Sequence, residues 1–481
     1  MKVFLAYLRI NSGHGSDDRY SYGLGYISAV LKQEGHDITY VVLANDRDLK
    51  GFYEKIEKEQ PGITGFYVTA SHTGPLVEIV RKMRPVTRTF IVCGGPHPTL
   101  SPESMFNIDG IDAVVRGEGE YPMRDLANAL DRKNEFLHIK NLWVREGDRI
   151  IKNEMRPLIA DLDELPYPDK SCLDFQKAID ESSGTIRYIF SRGCVFHCAY
   201  CSNKALSDVY GGKYFRIRSP QKAIGEIEKD MRTYTFTRIM FDDDTIHLDK
   251  KWFREFFDLY KKRVHIPFKC NIRPDIIDEE IVDMLKEAGV ARVNIGVEHG
   301  NEEFRRKYLN RSMTNRQIIE AFDLFRQRNI DCFAHVMVGL PYENKRLFLD
   351  TVRLCRKLAM VQNNPINVFH PYPATPLGDL CEKKGWLLPE RHYRERENSI
   401  TNYPTFNKEE IELCKDAFSY LLAFRFLPLG LNTITACGLM HRLSNYLNKK
   451  SSFYSKLLVR LKRMLLLWRG SQSYELPCSQ D

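Results

Sequence analysis

Two series of short apolar runs alternate with amphipathic segments along this chain, and this alternation constrains the fold more than any other feature. The first series occupies the first 150 residues or so, and the second begins near residue 186 and contains six apolar runs. Such alternation is typical of parallel sheets whose strands are joined by crossover helices. Because 481 residues exceed one ordinary core of ~150 residues, the two series predict two α/β domains.

We therefore predict an α/β protein with a doubly wound parallel-sheet domain over residues 1–150, a linker over 151–185, a partial (β/α)6 barrel of the TIM type over 186–400 and a helical extension over 401–481. Six strand–helix units are fewer than the eight that close a TIM barrel, so we expect the second sheet to stay open. In the first domain, the loops TASHTG, GGPHPT and RGEGE follow predicted strands. Ligands of such sheets bind beyond the carboxyl ends of the strands, and we expect these loops to line one crevice.

The charge of the chain is concentrated near its carboxyl end. The net charge is +8, and nine basic residues without any Asp or Glu lie between Ala417 and Tyr474. The remainder is close to neutral, so no nucleic-acid partner is expected. We find no signal peptide and no uninterrupted apolar stretch long enough to span a membrane. Nine of the twelve cysteines are scattered singly, as in a reducing compartment, and together these features predict a cytoplasmic protein.

Apolar and basic residues interleave at helical spacing in the segment SSFYSKLLVRLKRMLLLWRG, residues 451–470. A basic amphipathic helix with an interfacial Trp can lie on an anionic membrane surface. Alternatively, the helix docks on the barrel and exposes its charges. Both interpretations stay open, and a peripheral membrane contact would suit a lipid-like substrate. The apolar positions are Tyr454, Leu457, Leu458, Leu461, Met464, Leu465 and Trp468.

The remaining three cysteines, Cys194, Cys198 and Cys201, lie together in the segment SRGCVFHCAYCSNKA. The segment follows a predicted barrel strand, at the end where barrels of this kind build their active sites. Three thiolates on one loop can hold a [4Fe–4S] cluster and leave one iron open to another ligand. A zinc site with His197 as fourth ligand is the alternative, which we disfavour because no second Cys-x-x-Cys pair lies nearby.

The pattern Cys194-x-x-x-Cys198-x-Tyr200-Cys201 resembles the CxxxCxΦC signature of the radical S-adenosylmethionine superfamily. The resemblance covers roughly residues 186–390 and implies that the three cysteines are the metal ligands of a [4Fe–4S] cluster whose open iron binds S-adenosylmethionine. It also implies that an electron donor such as flavodoxin or ferredoxin reduces the cluster. The reduced cluster would then cleave S-adenosylmethionine to methionine and a 5′-deoxyadenosyl radical, with the protein supplying orientation.

The same resemblance places S-adenosylmethionine contacts at the ends of the later barrel strands. Tyr200 is expected to touch the nucleoside, and the aspartates of FDDDTIHLD to accept from an ammonium group, although some of them can instead cap helices. Asn271 and Arg273 are available for ribose hydroxyls or the carboxylate. Glu298 lies on an apolar strand and therefore needs a partner. The expected S-adenosylmethionine-binding residues are Tyr200, Asp242, Asp243, Asp244, Asn271, Arg273, Glu298 and Arg311.

The first domain resembles the Rossmann-like, cobalamin-binding-type domain that precedes the barrel in one branch of this superfamily. The segments YSYGLGYISAVLKQEGHD and IVCGGPHPTLSPES carry the resemblance. It implies cobalamin as a cofactor, with Gly94 and Gly95 letting the nucleotide tail approach the backbone and Thr69 and Ser71 supplying hydroxyls. The glycines can alternatively be plain turn residues. The Asp-x-His-x-x-Gly pattern that supplies a lower cobalt ligand is absent, and His14 is the nearest candidate.

These features bear on four possible functions. A cobalamin-dependent radical methyltransferase acting on an unactivated carbon of a small-molecule or lipid-like substrate is the first. A radical cyclase of the magnesium-protoporphyrin ester cyclase type is the alternative. A methylthiotransferase is disfavoured, because its first domain should carry three further cysteines and only Cys93 is present there. An iron–sulfur electron carrier is disfavoured because a fourth cysteine is missing from the cluster motif.

Overall fold

The computed structural model describes residues 1–9, 20–212, 214–358, 366–389, 394–425 and 428–450. His14 and the expected basic helix within residues 451–470 lie outside the described residues. The described residues form a seven-stranded sheet, a six-stranded sheet and a two-stranded sheet. The predicted class, a parallel α/β domain followed by a partial barrel, is confirmed.

Seven strands form the amino-terminal sheet: β1 (Lys2–Leu8), β2 (Asp37–Leu43), β3 (Ile63–Tyr67), β4 (Phe90–Gly94), β5 (Ala113–Val115), β6 (Leu142–Glu146) and β7 (Arg149–Lys152). Their order is β2-β1-β3-β4-β5-β6-β7, with parallel neighbours up to β5 and an unpredicted antiparallel hairpin, β6–β7, at the edge. The helices of this region are α1 (Tyr22–Gln33), α2 (Asp46–Glu59), α3 (Thr73–Met83), α4 (Pro96–Leu100), α5 (Pro102–Phe106) and α6 (Glu120–Asp131).

Both faces of this sheet are covered, as the apolar run of β1 predicts. Val3 and Leu5 point to one side and pack in a core with Leu24 of α1 and Leu126 of α6. Phe4, Ala6 and Leu8 point to the other side, where α2 and α3 supply the partners. Strands buried on both faces read as continuous apolar runs rather than alternating ones, and the sheet is therefore doubly wound.

The second region holds β8 (Thr185–Tyr188), β9 (Ser191–Arg192), β10 (Arg216–Ile217), β11 (Arg238–Phe241), β12 (Phe268–Ile272), β13 (Val290–Glu298), β14 (Asp331–Val338) and β15 (Asn367–Val368). Six of these form an all-parallel sheet in the order β8-β11-β12-β13-β14-β15, the sequential order of a partial barrel. β9 leaves this sheet and pairs antiparallel with β10. The helices here are α7 (Phe175–Glu181), α8 (Ser202–Val209), α9 (Pro220–Thr233), α10 (Lys250–Arg263), α11 (Glu279–Glu287), α12 (Glu302–Tyr308), α13 (Asn315–Gln327) and α14 (Lys345–Lys357).

Residues 151–185, predicted as a linker, are fastened to the barrel by buried charges. Lys170 is buried and donates to the carboxylates of Glu226 and Asp230 on α9, at 2.6 Å each. Arg218, which is also buried, donates to the carbonyls of Leu165 and Pro166. Buried charges must be paired to be tolerated, and these pairs hold the segment against α9.

Three helices follow the barrel: α15 (Pro376–Lys383), α16 (Lys408–Ala423) and α17 (Leu431–Lys450). Ile411, Cys414 and Phe418 of α16 are buried in the same core as the barrel helices, and α16 packs on both α14 and α17. Within the described ranges, none of the helices is both long and apolar enough to cross a membrane.

Candidate functional site

The loop after β9 carries the three cysteines of the motif, and we call residues 193–201 the cluster loop. Gly193 begins it with a φ of +82°, and a Cβ there would lie 2.4 Å from the Tyr214 ring, so only glycine fits. Cys198 is buried, and the side chains of Cys194 and Cys201 are partly exposed. The amide of Cys201 donates to the carbonyl of Cys198 at 3.1 Å. This turn brings the second and third cysteines to the same side of the loop.

Two arginines from later barrel strands reach the sulfur of Cys198. Nη1 of Arg273, which follows β12, lies 3.5 Å from Cys198 Sγ, and Nη1 of Arg311, beyond α12, lies 3.6 Å from it. Arg273 also stacks 3.7 Å over the Phe196 ring and is paired with Asp275. Thiolate ligands bring negative charge to a metal cluster, and two guanidinium groups at the central cysteine offset that charge.

Without a metal, burial favours the protonated form of two of the thiols, Cys194 and Cys201. Burial raises the pKa of Cys201 to about 12, and burial likewise raises the pKa of Cys194. Thiolates are the metal-binding species, so cluster assembly would release protons here. Among the residues that the structure describes, no three His, Cys, Asp or Glu side chains lie close enough together to share a single metal ion. A cubane binds each thiolate at a different iron, and a loop with three spaced cysteines fits that group.

A second polar group lies at the end of β13, where the strand is distorted. Glu298 has a φ of +67°, and the pairing of β13 with β14 shifts register between Gly296 and Glu298. Arg311 donates to the Gly296 carbonyl at 2.5 Å and to the Tyr200 hydroxyl at 3.3 Å, and lies 3.9 Å from the Glu298 carboxylate. Strained non-glycine backbone of this kind clusters at functional sites.

Arg311 keeps its charge in this site and has unused hydrogen-bonding capacity. Burial opposes the charge, but Tyr200, Glu298 and Cys198 outweigh it and raise the pKa of Arg311. Its Nε is buried without a hydrogen-bond partner among the described residues. A buried donor without a partner carries a free-energy cost that a bound anionic group would remove. Tyr200, Glu298 and Arg311 thus fit the polar end of S-adenosylmethionine, beside the cluster loop.

The three aspartates of FDDDTIHLD have three different environments. Asp242 is paired through both oxygens with Arg187, at 2.6 Å each. Asp243 is buried, where it accepts from the amides of Phe190 and Ser191 and is held at a raised pKa of about 6 by burial. Asp244 accepts from Asn203 at 2.7 Å. Asp243 therefore shapes the bend between β8 and β9, while the expected binding role fits Asp242 and Asp244, which both line a cavity described below.

Asn271 belongs to an amide chain at the end of the barrel. It donates to the backbone carbonyl of Asp243 at 3.1 Å and accepts from Asn294 at 3.0 Å. These bonds join β11, β12 and β13 on the inner face of the half-barrel. Asn271 is thus held in place by the same strands whose ends form the site, but its amide is already committed to protein partners.

A cavity of about 550 Å³ lies between the two sheets. Gly94 and Gly95 line it from the end of β4, whereas Gly193, Asn203 and Asp244 line it beside the cluster loop. The cavity therefore connects the crevice of the amino-terminal sheet with the neighbourhood of the three cysteines.

The two glycines expected to approach cobalamin differ in what they do. Gly95 has a φ of +111°, and a Cβ there would lie 2.9 Å from the Val68 carbonyl, so the protein's own backbone requires glycine. A Cβ at Gly94 would meet only Val115, at 3.8 Å, which is ordinary contact. Because Gly94 has no side chain, the cavity stays open next to its backbone. A ligand tail could lie against the backbone at this position.

Thr69 and Ser71 do not line this cavity. Their hydroxyls bond to each other at 3.1 Å, and Ser71 donates to Glu395 at 3.1 Å, beyond the barrel. Ser71 is also buried. The structure thus separates these two hydroxyls from the two glycines with which the sequence grouped them.

An ionic clamp that sequence reasoning missed joins the first domain to the cluster loop. Arg192, the residue before the loop, donates to Glu118 at 2.6 Å and to Glu120, and both glutamates belong to the loop RGEGE. Glu118 also accepts from Arg216 at 2.9 Å and from the amide of Ile159 at 2.8 Å. The one signal in the sequence was the pair of glutamates in the loop RGEGE, which was already expected to line the crevice and whose charges need a basic partner when buried.

Two family models match the chain. The model of the radical SAM superfamily matches residues 188–355, and the model of the B12 binding domain matches residues 10–127. The cofactors expected from the sequence, a [4Fe–4S] cluster with S-adenosylmethionine and cobalamin, are those of these two families.

Several curated proteins are similar over most of the chain. An uncharacterized methyltransferase of Pyrococcus horikoshii is 28% identical over 372 residues, which cover 76% of this chain and 79% of that protein. An anaerobic magnesium-protoporphyrin IX monomethyl ester cyclase of Rubrivivax gelatinosus is 27% identical over 379 residues, which cover 75% of this chain and 66% of the cyclase. The chain thus spans just under two thirds of the cyclase's length.

Solved structures share the arrangement of the two regions. The radical S-adenosylmethionine methyltransferase TsrM from Kitasatospora setae, with cobalamin and a [4Fe–4S] cluster bound, has a TM-score of 0.64 at 18% identity, covering 81% of this chain and 79% of that one. The cobalamin-dependent S-adenosylmethionine radical enzyme OxsB has a TM-score of 0.67 at 16% identity, covering 96% and 75%. Identities this low establish the fold alone. The two matched family models, which together cover more than half of the chain, show that the chain belongs to the radical S-adenosylmethionine superfamily, in the branch with an amino-terminal B12-binding domain.

Proposed function

We propose that this protein is a cobalamin-dependent radical methyltransferase that acts on an unactivated carbon. The observation that carries the proposal is the cavity of about 550 Å³ shared by the end of the amino-terminal sheet and the cluster loop. When bound, cobalamin would supply the methyl group, and the cluster with S-adenosylmethionine would supply the radical that removes a hydrogen atom from substrate. A substrate in this cavity would lie close to both groups, because Gly94 lines one part of the cavity and Gly193 of the cluster loop lines another.

The residues of this chain would bind and orient these groups. Cys194, Cys198 and Cys201 would ligate the cluster, and Arg311 with Glu298 would hold the charged end of S-adenosylmethionine. The bonds from Arg311 to Gly296 and to Tyr200 fix its guanidinium before any ligand arrives, so little order has to be created on binding.

The first domain would contribute a floor for cobalamin. Gly94 keeps space open at the end of β4, and the ionic clamp between Arg192 and the glutamates Glu118 and Glu120 holds that floor against the cluster loop. The clamp is mostly buried, with Arg192 at 20% and Glu120 at 4% exposure. Buried bidentate contacts of an arginine fix geometry better than exposed ion pairs, so the distance between the two sites is set by the fold.

A substrate-free assay tests methyl transfer. The reconstituted, reduced protein with bound cobalamin is incubated with S-adenosylmethionine, and the products are counted. A methyltransferase should form about one S-adenosylhomocysteine per bound cobalamin, besides 5′-deoxyadenosine from radical cleavage. Formation of 5′-deoxyadenosine without S-adenosylhomocysteine, at full cobalamin occupancy, would contradict methyl transfer.

Radical cyclisation without methyl transfer is the second candidate. The similarity to the Rubrivivax gelatinosus cyclase over 379 residues favours it. The same assay distinguishes the two candidates. A cyclase needs no methyl donor and should form 5′-deoxyadenosine without S-adenosylhomocysteine. In either case the substrate would be a small or lipid-like molecule, and flavodoxin or ferredoxin would deliver the electron.

A further inference from the structure

The inner face of the half-barrel is polar. Along β12, Phe268 and Cys270 are buried against the outer helices, whereas Lys269 and Asn271 are partly exposed on the opposite face. β13 repeats this alternation, with Arg292 and Asn294 on the same inner face. Alternate strand residues point to opposite sides of a sheet, so lysine, arginine and asparagine side chains face the open interior where a closed TIM barrel packs branched apolar residues.

Three basic residues share one row across this face, with Met240 between the first and the second. Arg187 of β8 is in register with Met240 of β11, Met240 with Lys269, and Lys269 with Arg292. Partners in register on parallel strands share a face and lie ~5 Å apart. Lys269 and Arg292 are therefore direct neighbours, and the exposed Asp331 of β14 is the next position beyond Arg292.

The two central cations of the row are not neutralised by an ion pair, and the carboxylate in this row is that of the exposed Asp331, in register with Arg292. Arg187 is paired with Asp242, but neither Lys269 nor Arg292 forms an ion pair with any residue that the structure describes. Nε of Arg292 is buried without a hydrogen-bond partner within the same ranges. Burial, Arg292, Arg238 and Arg187 together lower the pKa of Lys269. Like charges placed together without a counter-ion are unfavourable, and a bound anion would relieve them.

We propose that Lys269 and Arg292 form an anchoring site for an anionic group of the substrate, a carboxylate or a phosphate. This inference rests on the proposed function, because it assigns the substrate of that function to an acidic class, and it places the anionic group in the half-barrel interior, outside the lining of the cavity described above. A planar guanidinium beside an ammonium is a donor set suited to such oxyanions.

The strand geometry also gives the size of the substrate. Arg273, which contacts the sulfur of Cys198, lies four residues beyond Lys269 along the same stretch of chain. At ~3.3 Å per residue, the anchoring site and the cluster end are ~13 Å apart. A substrate held at Lys269 and Arg292 would have to span most of this distance to react near the cluster end.

Anion binding to the reconstituted protein tests the site without knowledge of the substrate. Orthophosphate and hexanoate are titrated separately by calorimetry into the wild-type protein, the double variant Lys269→Gln with Arg292→Gln, and a control with Lys251→Gln and Lys262→Gln on the exposed face of α10. We expect at least one anion to bind the wild type and the control equally, and the double variant about tenfold more weakly or worse. The preferred anion identifies the acidic group. No binding of either anion, or equal binding by all three proteins, would overturn the proposal.

A measurement on the wild-type protein covers the case in which the double variant does not fold. Lys269 is acylated with an amine-reactive ester in the presence and absence of the bound anion, and labelling is read by mass spectrometry with Lys262 as the internal reference. The anion should protect Lys269 severalfold and leave Lys262 unchanged, and equal labelling of both would contradict the site. Cleavage of S-adenosylmethionine is measured in parallel. Its absence would count against the proposed function, while the anion data alone decide the anchoring site.

Discussion

Replacing Arg192 with Met should remove the ionic clamp between the two domains and lower the stability of the protein. Burial opposes the charge of Arg192, but Glu120 and Glu118 outweigh it and raise its pKa. Glu118 would keep Arg216 and the Ile159 amide as partners, whereas Glu120, 4% exposed, would keep none among the described residues. Removing one partner of a buried ion pair typically costs ~3–5 kcal/mol. The cost here should lie at the low end of that range, because Glu118 retains its other contacts. We therefore expect a loss of about 3 kcal/mol in the free energy of unfolding.

The assay is urea denaturation of the Arg192→Met variant, combined with a double-mutant cycle. Adding Glu120→Gln should restore a large part of the loss, because an amide is less costly to bury unpaired than a carboxylate. Arg316→Gln, on a fully exposed arginine of α13, is the control and should leave the midpoint unchanged. If Arg192→Met behaved like the control, or if Glu120→Gln added to its loss, the buried clamp would not have the energetic role that we assign to it.

Four further predictions concern single sites. Cys198→Ala should abolish formation of 5′-deoxyadenosine, while Cys172→Ala, at a cysteine outside the motif, should not; activity in Cys198→Ala would contradict the cluster assignment. Gly94→Ala should fold normally, since its Cβ meets only Val115 at 3.8 Å, but should bind cobalamin about tenfold more weakly. Gly51→Ala, at an exposed position of α2, is the control. Equal cobalamin affinities of the two variants would show that Gly94 is not part of the site. Burial raises the pKa of Asp243 to about 6, so the stability that its protonated form contributes is present below the unfolded pKa near 4 and is lost as the pH rises to 6. Relative to Asp243→Asn, the wild type should lose about 3 kcal/mol of unfolding free energy over that interval. Parallel profiles of unfolding free energy against pH for the two proteins would refute this. A chain ending at Lys450 lacks the predicted basic helix and should lose co-sedimentation with anionic liposomes, and undiminished binding would instead favour the docked alternative.

Local patterns predicted well where the signal lies within a few residues. The three cysteines occupy eight consecutive positions, and their spacing alone indicated the metal chemistry. β1 (Lys2–Leu8) is an apolar run, as expected for a strand buried on both faces, whereas β14 (Asp331–Val338) alternates buried and partly exposed residues. Helix α2 also has a signal in the sequence, because Leu49, Phe52, Tyr53 and Ile56 lie at helical spacing in an otherwise charged segment, although only Phe52 and Ile56 are fully buried.

Contacts between distant positions could not be read from the sequence. Arg192 binds Glu118, which is 74 residues away in the sequence, and no local sequence pattern around either residue predicts this contact. The FDDDTIHLD aspartates show the same limit, because the sequence cannot tell that Asp242 is paired with Arg187. Thr69 and Ser71 follow a strand of the correct sheet, but the 3₁₀ turn at Ala70–His72 directs them toward Glu395 and away from the cavity. The topology fixes which loops meet, and side-chain partners within those loops need the three-dimensional structure.

The most direct test of the central claim is anaerobic reconstitution with iron and sulfide, with and without hydroxocobalamin. We predict that the protein takes up four irons per chain, retains the corrinoid absorbance after gel filtration and cleaves S-adenosylmethionine to 5′-deoxyadenosine when reduced. A protein that cleaves S-adenosylmethionine but retains no corrinoid would contradict the role of cobalamin. A protein that binds the corrinoid but forms no 5′-deoxyadenosine would contradict the radical chemistry itself.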